Sequence, residues 1–316
     1  MRYQTTSGAF SVAQVGAPLL GCALTDAACR REMTSTTGTA QNNGYSMVPL
    51  TDAFGAPIDS VAKLDIRTDG QIAFAGLYWS ANKATSDPLW TGPLDTIELR
   101  APDATSFSDV HGDVIASVTD NSASQRSYYQ SFADVTDIVR DPVTKALRAG
   151  GTGDWAASGA AVSKTANDPD HTYYAGWALV VVYADALTGG DVTVFDGGAW
   201  VATNQSTTFA FGAAESLNAQ FGVVAWDGDR GGSGSGDALT LNATTALTPL
   251  MWDGSDGLAS DAFNSTAMGS MFANSLGTDA KAFGSAPLLD GINRLTASTV
   301  GDQYLIGVVT LTTTPH

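Results

Sequence analysis

Three aspartates in one glycine-rich loop, Asp227, Asp229 and Asp237 of DGDRGGSGSGD (227–237), form the strongest candidate for a chemical site in the chain. Asp227 and Asp229 are spaced so that both carboxylates can turn toward one point, and Asp237 returns at the end of the loop. Calcium takes several oxygen ligands from carboxylates and carbonyls, and glycines let the backbone wrap an ion. The spacing is not that of an EF-hand, whose twelfth position is glutamate; here it is Ala238. The alternative reading is a solvated hairpin loop whose aspartates form turns. Asp253, Asp256 and Asp261 make a second, weaker acidic cluster.

Other reactive types are sparse. Cys22 and Cys29 are the only cysteines, and the three histidines, His111, His171 and His316, lie far from them. A zinc site needs more soft ligands than this, so a disulfide closing a small loop is the better reading, and it implies an oxidising compartment. His171 stands beside Asp168 and Asp170, which could orient it, although a loop histidine is the simpler account. Lys63 lies in a strand-like stretch. A lysine buried with an asparagine and an acid can condense into an isopeptide bond, because burial lowers the amine pKa, yet the neighbours of Lys63 place it on a polar face. The chain has no P-loop, HExxH or GxSxG pattern. An aspartate pair for glycoside hydrolysis carries no information among so many aspartates. The aromatics Tyr78, Trp79, Tyr173, Tyr174, Trp177, Trp200 and Trp226 could stack sugars, but in sandwiches such residues more often fill the space between sheets.

The elements that must position these residues are strands. Of 32 acidic residues only Glu32, Glu98 and Glu215 are glutamates; there are 34 glycines and five lysines. Aspartate favours turns and caps, glutamate helix interiors, so the composition suits strands joined by Asp/Gly turns. A hydrophobic content of 44% over 316 residues supports a large core. The formal net charge of −17 argues against nucleic acid and anionic membranes as partners. No apolar run is long enough for a transmembrane helix. The first residues lack the basic start and apolar stretch of a signal peptide, and a native signal is expected to have been removed.

Strand signals recur at short spacing. In SVAKLDIR (60–67), Ala62, Leu64 and Ile66 share one face and Val61, Lys63, Asp65 and Arg67 the other, the period of a half-buried strand. YYAGWALVVVYAD (173–185) is uncharged until its end and reads as a central strand buried on both faces. GDVTVFDGGAWVA (190–202) follows Gly189-Gly190, predicting a hairpin. SFADVTDIV (131–139) reads as a strand, VTKALRA (143–149) as one short helix, and 260–276 as possible helical turns. The fold class is all-β: an antiparallel sandwich or jelly roll with Greek-key connections, or two packed sandwiches. Residues 1–44 read as an N-terminal arm with the disulfide loop, 45–316 as the sandwich domain, with a possible subdivision near 160–172.

Several segments together resemble the conserved N-terminal β domain of large bacterial secreted and cell-surface proteins, often followed by DUF11-type repeats. They are LLGCALTDAAC (19–29), NNGYSMVPL (42–50), FAGLYWSA (74–81), YQSFADVTDIV (129–139), YAGWALVVVYAD (174–185), DVTVFDGGAWV (191–201), FGVVAWDGDRGGSGSGDALTLN (221–242), FNSTA (263–267) and DQYLIGVVTL (302–311). The resemblance spans about residues 19–311 and implies an exported filament, stalk or adhesin component without a reaction. DVTDIV also resembles an edge feature of sugar-binding jelly rolls.

The expected function is therefore an extracellular structural or adhesive surface protein, not an enzyme. The alternative is a lectin-like carbohydrate-binding module, calcium-dependent if the acidic loop binds an ion. Expected partners are copies of the chain or other surface proteins, joined by strand addition through residues 1–20, or glycans, with no membrane insertion.

Overall fold

The computed structural model describes the whole chain except residues 6–7, 40, 44, 67–69, 88, 121–124, 149–150, 165–172, 214–216, 232–235, 252 and 316. Its described elements are strands apart from two short helices, Ala27–Thr34 and Thr136–Val139.

A five-stranded antiparallel sheet runs in the order Phe10–Pro18, Ala175–Ala184, Ile72–Ala84, Arg126–Asp134, Asp113–Thr119. The second large sheet runs Tyr3–Gln4, Asp191–Val201, Tyr304–Pro315, Leu217–Trp226, Thr278–Ala282, with Ala286–Pro287 also pairing Leu217–Trp226. Two four-stranded sheets cover their outer faces. One comprises Ser60–Leu64, Gly153–Ser158, Thr96–Arg100 and Ser108–His111; the other comprises Ser206–Ala213, Gly291–Ser298, Ala238–Leu241 and Thr245–Ala246.

The packing is four layers deep. Alternation along Ala175–Ala184 shows why. Trp177, Leu179 and Val181 enter one core, shared with Ala62, Leu64, Leu99 and Trp155 of a covering sheet. Ala178, Val180 and Val182 enter the central core, shared with Val192, Val224, Trp226, Leu305 and Val308 of the other large sheet. On the far side of that sheet, Phe221, Val223, Ala225, Ile306 and Leu311 pack against Leu239, Leu241 and Leu295 of the second cover. A strand with apolar neighbours on both faces must be apolar at every position, which accounts for the uncharged run at 175–182. The β-branched run also suits the pleat. Register places Trp177 opposite Trp79 and Leu179 opposite Leu77. Each buried Val, Leu or Ile contributes roughly 1.5–3 kcal/mol by leaving water. The architecture is two sandwiches packed back to back.

Four local expectations are corrected. Ala175–Ala184 and Asp191–Val201 belong to different large sheets, so Gly189-Gly190 carries the chain between layers and closes no hairpin. A Cβ on Gly190 would lie 2.0 Å from the Thr313 carbonyl oxygen, so the close approach requires glycine. The strand read at 131–139 stops at Asp134, whose Oδ1 accepts the Thr136 amide at 2.9 Å and starts the helix Thr136–Val139. Over 143–148 there is no helix: Asp141 Oδ1 accepts the amides of Val143 and Thr144 at 2.9 and 2.8 Å, an Asx turn that competes with helix. Over 260–276 the backbone instead follows the edge strand Thr278–Ala282, with Ala267 bridging Ala280.

The stretch read as an arm contributes the edge strand Phe10–Pro18 to the five-stranded sheet. After it, Asp26 caps the helix Ala27–Thr34 through Oδ1 to the Cys29 amide, 2.9 Å. The helix buries Cys29 and Met33, and Cys29 is disulfide-bonded to Cys22.

Candidate functional site

The acidic loop begins where Leu217–Trp226 ends. Asp227 adopts a left-handed backbone conformation, φ 68°, which turns its side chain back into the protein. Its carboxylate accepts from Asn42 Nδ2 at 3.2 Å and from the Tyr128 hydroxyl at 3.0 Å, and it lies 3.7 Å from the Arg126 guanidinium. Asn42 also donates to the Tyr173 carbonyl at 2.9 Å. One carboxylate thus joins the loop that follows the helix Ala27–Thr34, the five-stranded sheet and the end of a strand in the other large sheet.

Asp229 continues the network. Its Oδ2 accepts from Asn43 Nδ2 at 2.7 Å, and its amide donates to Asp302 Oδ2 at 2.9 Å. Asp120 closes the far side, accepting the Arg126 amide on Oδ1 at 2.9 Å and Gln303 Nε2 on Oδ2 at 3.1 Å. Arg230 turns the other way and donates to the carbonyls of Ser35 (2.9 Å), Asn264 (3.3 Å) and Ala273. Asp227, Asp229, Arg230 and Asp237 are all buried. Residues 227–230 are therefore a packed polar core and not a solvated hairpin; 232–235 lie outside the described residues.

Burial without enough compensation penalises the charged forms. It pushes the Asp227 carboxyl up to about 6, against the opposing pull of Arg126. Burial raises Asp237 to about 7. Asp229 and Asp302 are held well above the carboxylate range by burial and by the neighbouring carboxyls. Asp229 Oδ1 and both carboxyl oxygens of Asp237 have no hydrogen-bond partner among the described residues.

The three aspartates singled out from sequence are thus brought into one buried region. Among the described residues, no three His, Cys, Asp or Glu side chains come together as a metal-ligand set. In the second acidic cluster, Asp253 and Asp256 are exposed and Asp261 is buried, all three lining an open cleft beside Arg230. Asp253 closes an Asx turn onto Ser255, 3.0 Å from its amide.

Lys63 is exposed, as its polar face implied. His171, Asp168 and Asp170 lie outside the described residues, and His111 is exposed. Tyr78, Trp79, Tyr173, Tyr174, Trp177 and Trp226 are core residues with no exposed ring face, and half-buried Trp200 packs on Tyr128 at 4.6 Å between ring centroids.

No family model and no curated protein matches the chain. Among solved structures, a chain from the atomic structure of Sulfolobus turreted icosahedral virus is similar at 9% identity. That match covers 96% of this chain and 90% of the viral one with a TM-score of 0.25, a likeness too slight to bear on function. No described helix is long and apolar enough to cross a membrane.

Sequence reasoning missed Asn42, Asn43, Asp120, Arg126 and Asp302, which complete the network. Asn42 and Asn43 fall in the stretch read as an N-terminal arm, and Asp302 stands just ahead of the last strand. Each becomes informative only through a partner distant along the chain.

Proposed function

We propose that the chain is a rigid extracellular building block of a bacterial surface, a filament, stalk or adhesin subunit, whose work is mechanical and interfacial. The observation that supports this best is the four-layer stack. The central strands of both large sheets, such as Ala175–Ala184 and the second half of Leu217–Trp226, are buried on both faces, and a buried polar network fastens the sheets at one end. Shearing such a stack must break backbone ladders and expose three apolar cores together. The buried disulfide fits an oxidising compartment, and the sequence segments that resemble bacterial surface domains point the same way.

Assembly would use sheet edges. Phe10–Pro18 forms one edge of the five-stranded sheet and the largely exposed strand Asp113–Thr119 the other. Free edges are templates for another strand. The N-terminal strand could be given in trans to a neighbouring copy, keeping the same ladder, because strand addition supplies many backbone hydrogen bonds at once.

Negative-stain electron microscopy of the purified, oxidised chain, with light scattering over a range of concentrations, tests this reading. Ordered polymers or fixed oligomers are the expected result. A monomer at every concentration that also gives specific hits on a glycan array would replace the building block with the lectin-like module.

A further inference from the structure

Lys281 lies in the edge strand Thr278–Ala282, and its side chain is fully buried, an unusual place for an ammonium. Its Nζ donates to Asn264 Oδ1 at 2.6 Å and to the Ala262 carbonyl at 3.1 Å, and sits 2.5 Å from Asp279 Oδ1. Asn264 and Asp279 are buried as well. Asp279 Oδ1 also accepts the Thr266 amide at 3.0 Å, while its Oδ2 has no hydrogen-bond partner among the described residues. The surroundings are apolar: the Phe263 ring packs on Tyr304 at 4.4 Å and on Phe283 at 6.3 Å between centroids. Asp261, Arg230 and Asp237 are further charged groups acting on Lys281.

We propose that Lys281 and Asn264 are joined by an intramolecular isopeptide bond, formed after folding with Asp279 as the proton carrier. An amine, a carboxamide and a carboxyl are held together in a site closed to water, which is what the condensation needs. A proton passes from Lys281 Nζ to Asp279, leaving a neutral amine and a neutral acid. Nζ attacks Asn264 Cγ while the acid hydrogen-bonds the developing oxyanion. The Nζ–Cγ bond forms, the proton carried by Asp279 passes to Nδ2, the Cγ–Nδ2 bond breaks with ammonia leaving, and Asp279 takes the second proton from Nζ, which ends as a neutral amide N–H beside a neutral acid. No oxidant or co-reactant enters. Burial favours the neutral forms on both sides, lowering the Lys281 pKa and raising that of Asp279. A Cβ on Gly228 would lie 2.4 Å from Asp279 Oδ2, so the glycine after Asp227 leaves room for the acid. The bond would fasten the segment around Asn264 to the edge strand that it already flanks through the Ala267–Ala280 bridge. The chemistry stands independently of the proposed surface role.

Intact-mass spectrometry of the full-length oxidised chain decides it. The expected mass is one ammonia below the value calculated for the disulfide-bonded sequence. Cyanogen bromide supplies the location, because Met268 and Met271 lie between Asn264 and Lys281. Fragments 252–268 and 272–316 should stay covalently joined after cleavage. Lys281→Arg should restore the calculated mass and release the two fragments, and Asp279→Asn should do the same with both reacting groups still present. An unmodified wild-type mass overturns the proposal. So does an ammonia deficit with the fragments separate, which would place the loss elsewhere, as in a succinimide at Asn43-Gly44. A bond that persists in Asp279→Asn overturns the role given to the acid. The wild-type measurement holds even if a variant fails to fold.

Discussion

The indole Nε1 of Trp226 donates to Gln130 Oε1 at 2.5 Å across the central apolar interface, joining the two large sheets. Gln130 Nε2 donates in turn to the carbonyls of Gly197 at 2.5 Å and Gly307 at 3.1 Å. Both side chains are fully buried. The amide is satisfied on both its oxygen and nitrogen, so a polar residue is tolerated in an apolar layer. Replacing Gln130 with leucine leaves the Trp226 N–H and two carbonyls without their partner. The expected loss is about 2–4 kcal/mol of stability, read by denaturant unfolding. Gly307→Ala should act in the same direction, because its Cβ would lie 1.8 Å from Gln130 Oε1 and force the amide out of place.

The Cys22–Cys29 disulfide should stabilise chiefly by closing a short loop in the unfolded chain. With a sequence separation of 7, the loop-entropy relation gives about 2–3 kcal/mol. The double substitution Cys22→Ser with Cys29→Ser, or reduction, should lower the melting temperature measured by circular dichroism. The helix it anchors is also held elsewhere: Asn274 donates its amide to the Met33 carbonyl at 3.0 Å and Arg230 reaches the Ser35 carbonyl at 2.9 Å. The far-ultraviolet spectrum should therefore stay that of a β protein after reduction.

Lys63 and Lys281 give a paired contrast on one type of residue. Lys63 is exposed on a half-buried strand, so Lys63→Ala should change stability by no more than about 0.5 kcal/mol. Lys281→Ala removes both the bond to Asn264 and the polar partner of buried Asp279, and should cost at least about 3 kcal/mol. Equal effects of the two substitutions in parallel denaturation curves would contradict the burial assigned to Lys281.

The same contrast explains how much was legible beforehand. The period of two in SVAKLDIR correctly put Ala62 and Leu64 inside and Lys63 outside, because one face of that strand meets solvent. The run at 175–182 announced burial on both faces because charge is absent from it. Lys281 carries no such signal: the period of two in Thr278–Ala282 sets Asp279 and Lys281 on one face, yet both are buried, with Asn264 as a further polar partner. The aspartates at 227, 229 and 237 stood out by type and spacing, whereas Asn42, Arg126 and Asp302 come from distant strand ends and have no local signature. The helix Thr136–Val139 reads as strand in the sequence because it is a single turn, begun by the Asx turn of Asp134 and not marked by periodicity.

The buried carboxyls predict an inverted pH dependence. Asp227 rises to about 6 and Asp237 to about 7 from a reference of 3.8, with Asp229 and Asp302 shifted the same way. For an acid whose pKa is raised by folding, the native state binds more protons than the unfolded state between the two values. Stability then falls as pH rises through that window, here from about 4 to about 7. Asp185, lowered to about 2 by hydrogen bonds from Thr188 and the Leu187 amide, works the other way but only at acid pH below that window. The melting temperature should accordingly be higher at pH 5 than at pH 8, by about 3 °C if the net effect is near 2 kcal/mol. Asp227→Asn keeps the shape of the side chain and its contact with Tyr128 while removing one titrating group, so it should flatten the slope between pH 5 and 7. A melting temperature that climbs from pH 5 to pH 8 would mean that these carboxyls are ionised and neutralised by a cation, and in that case a chelator should lower it.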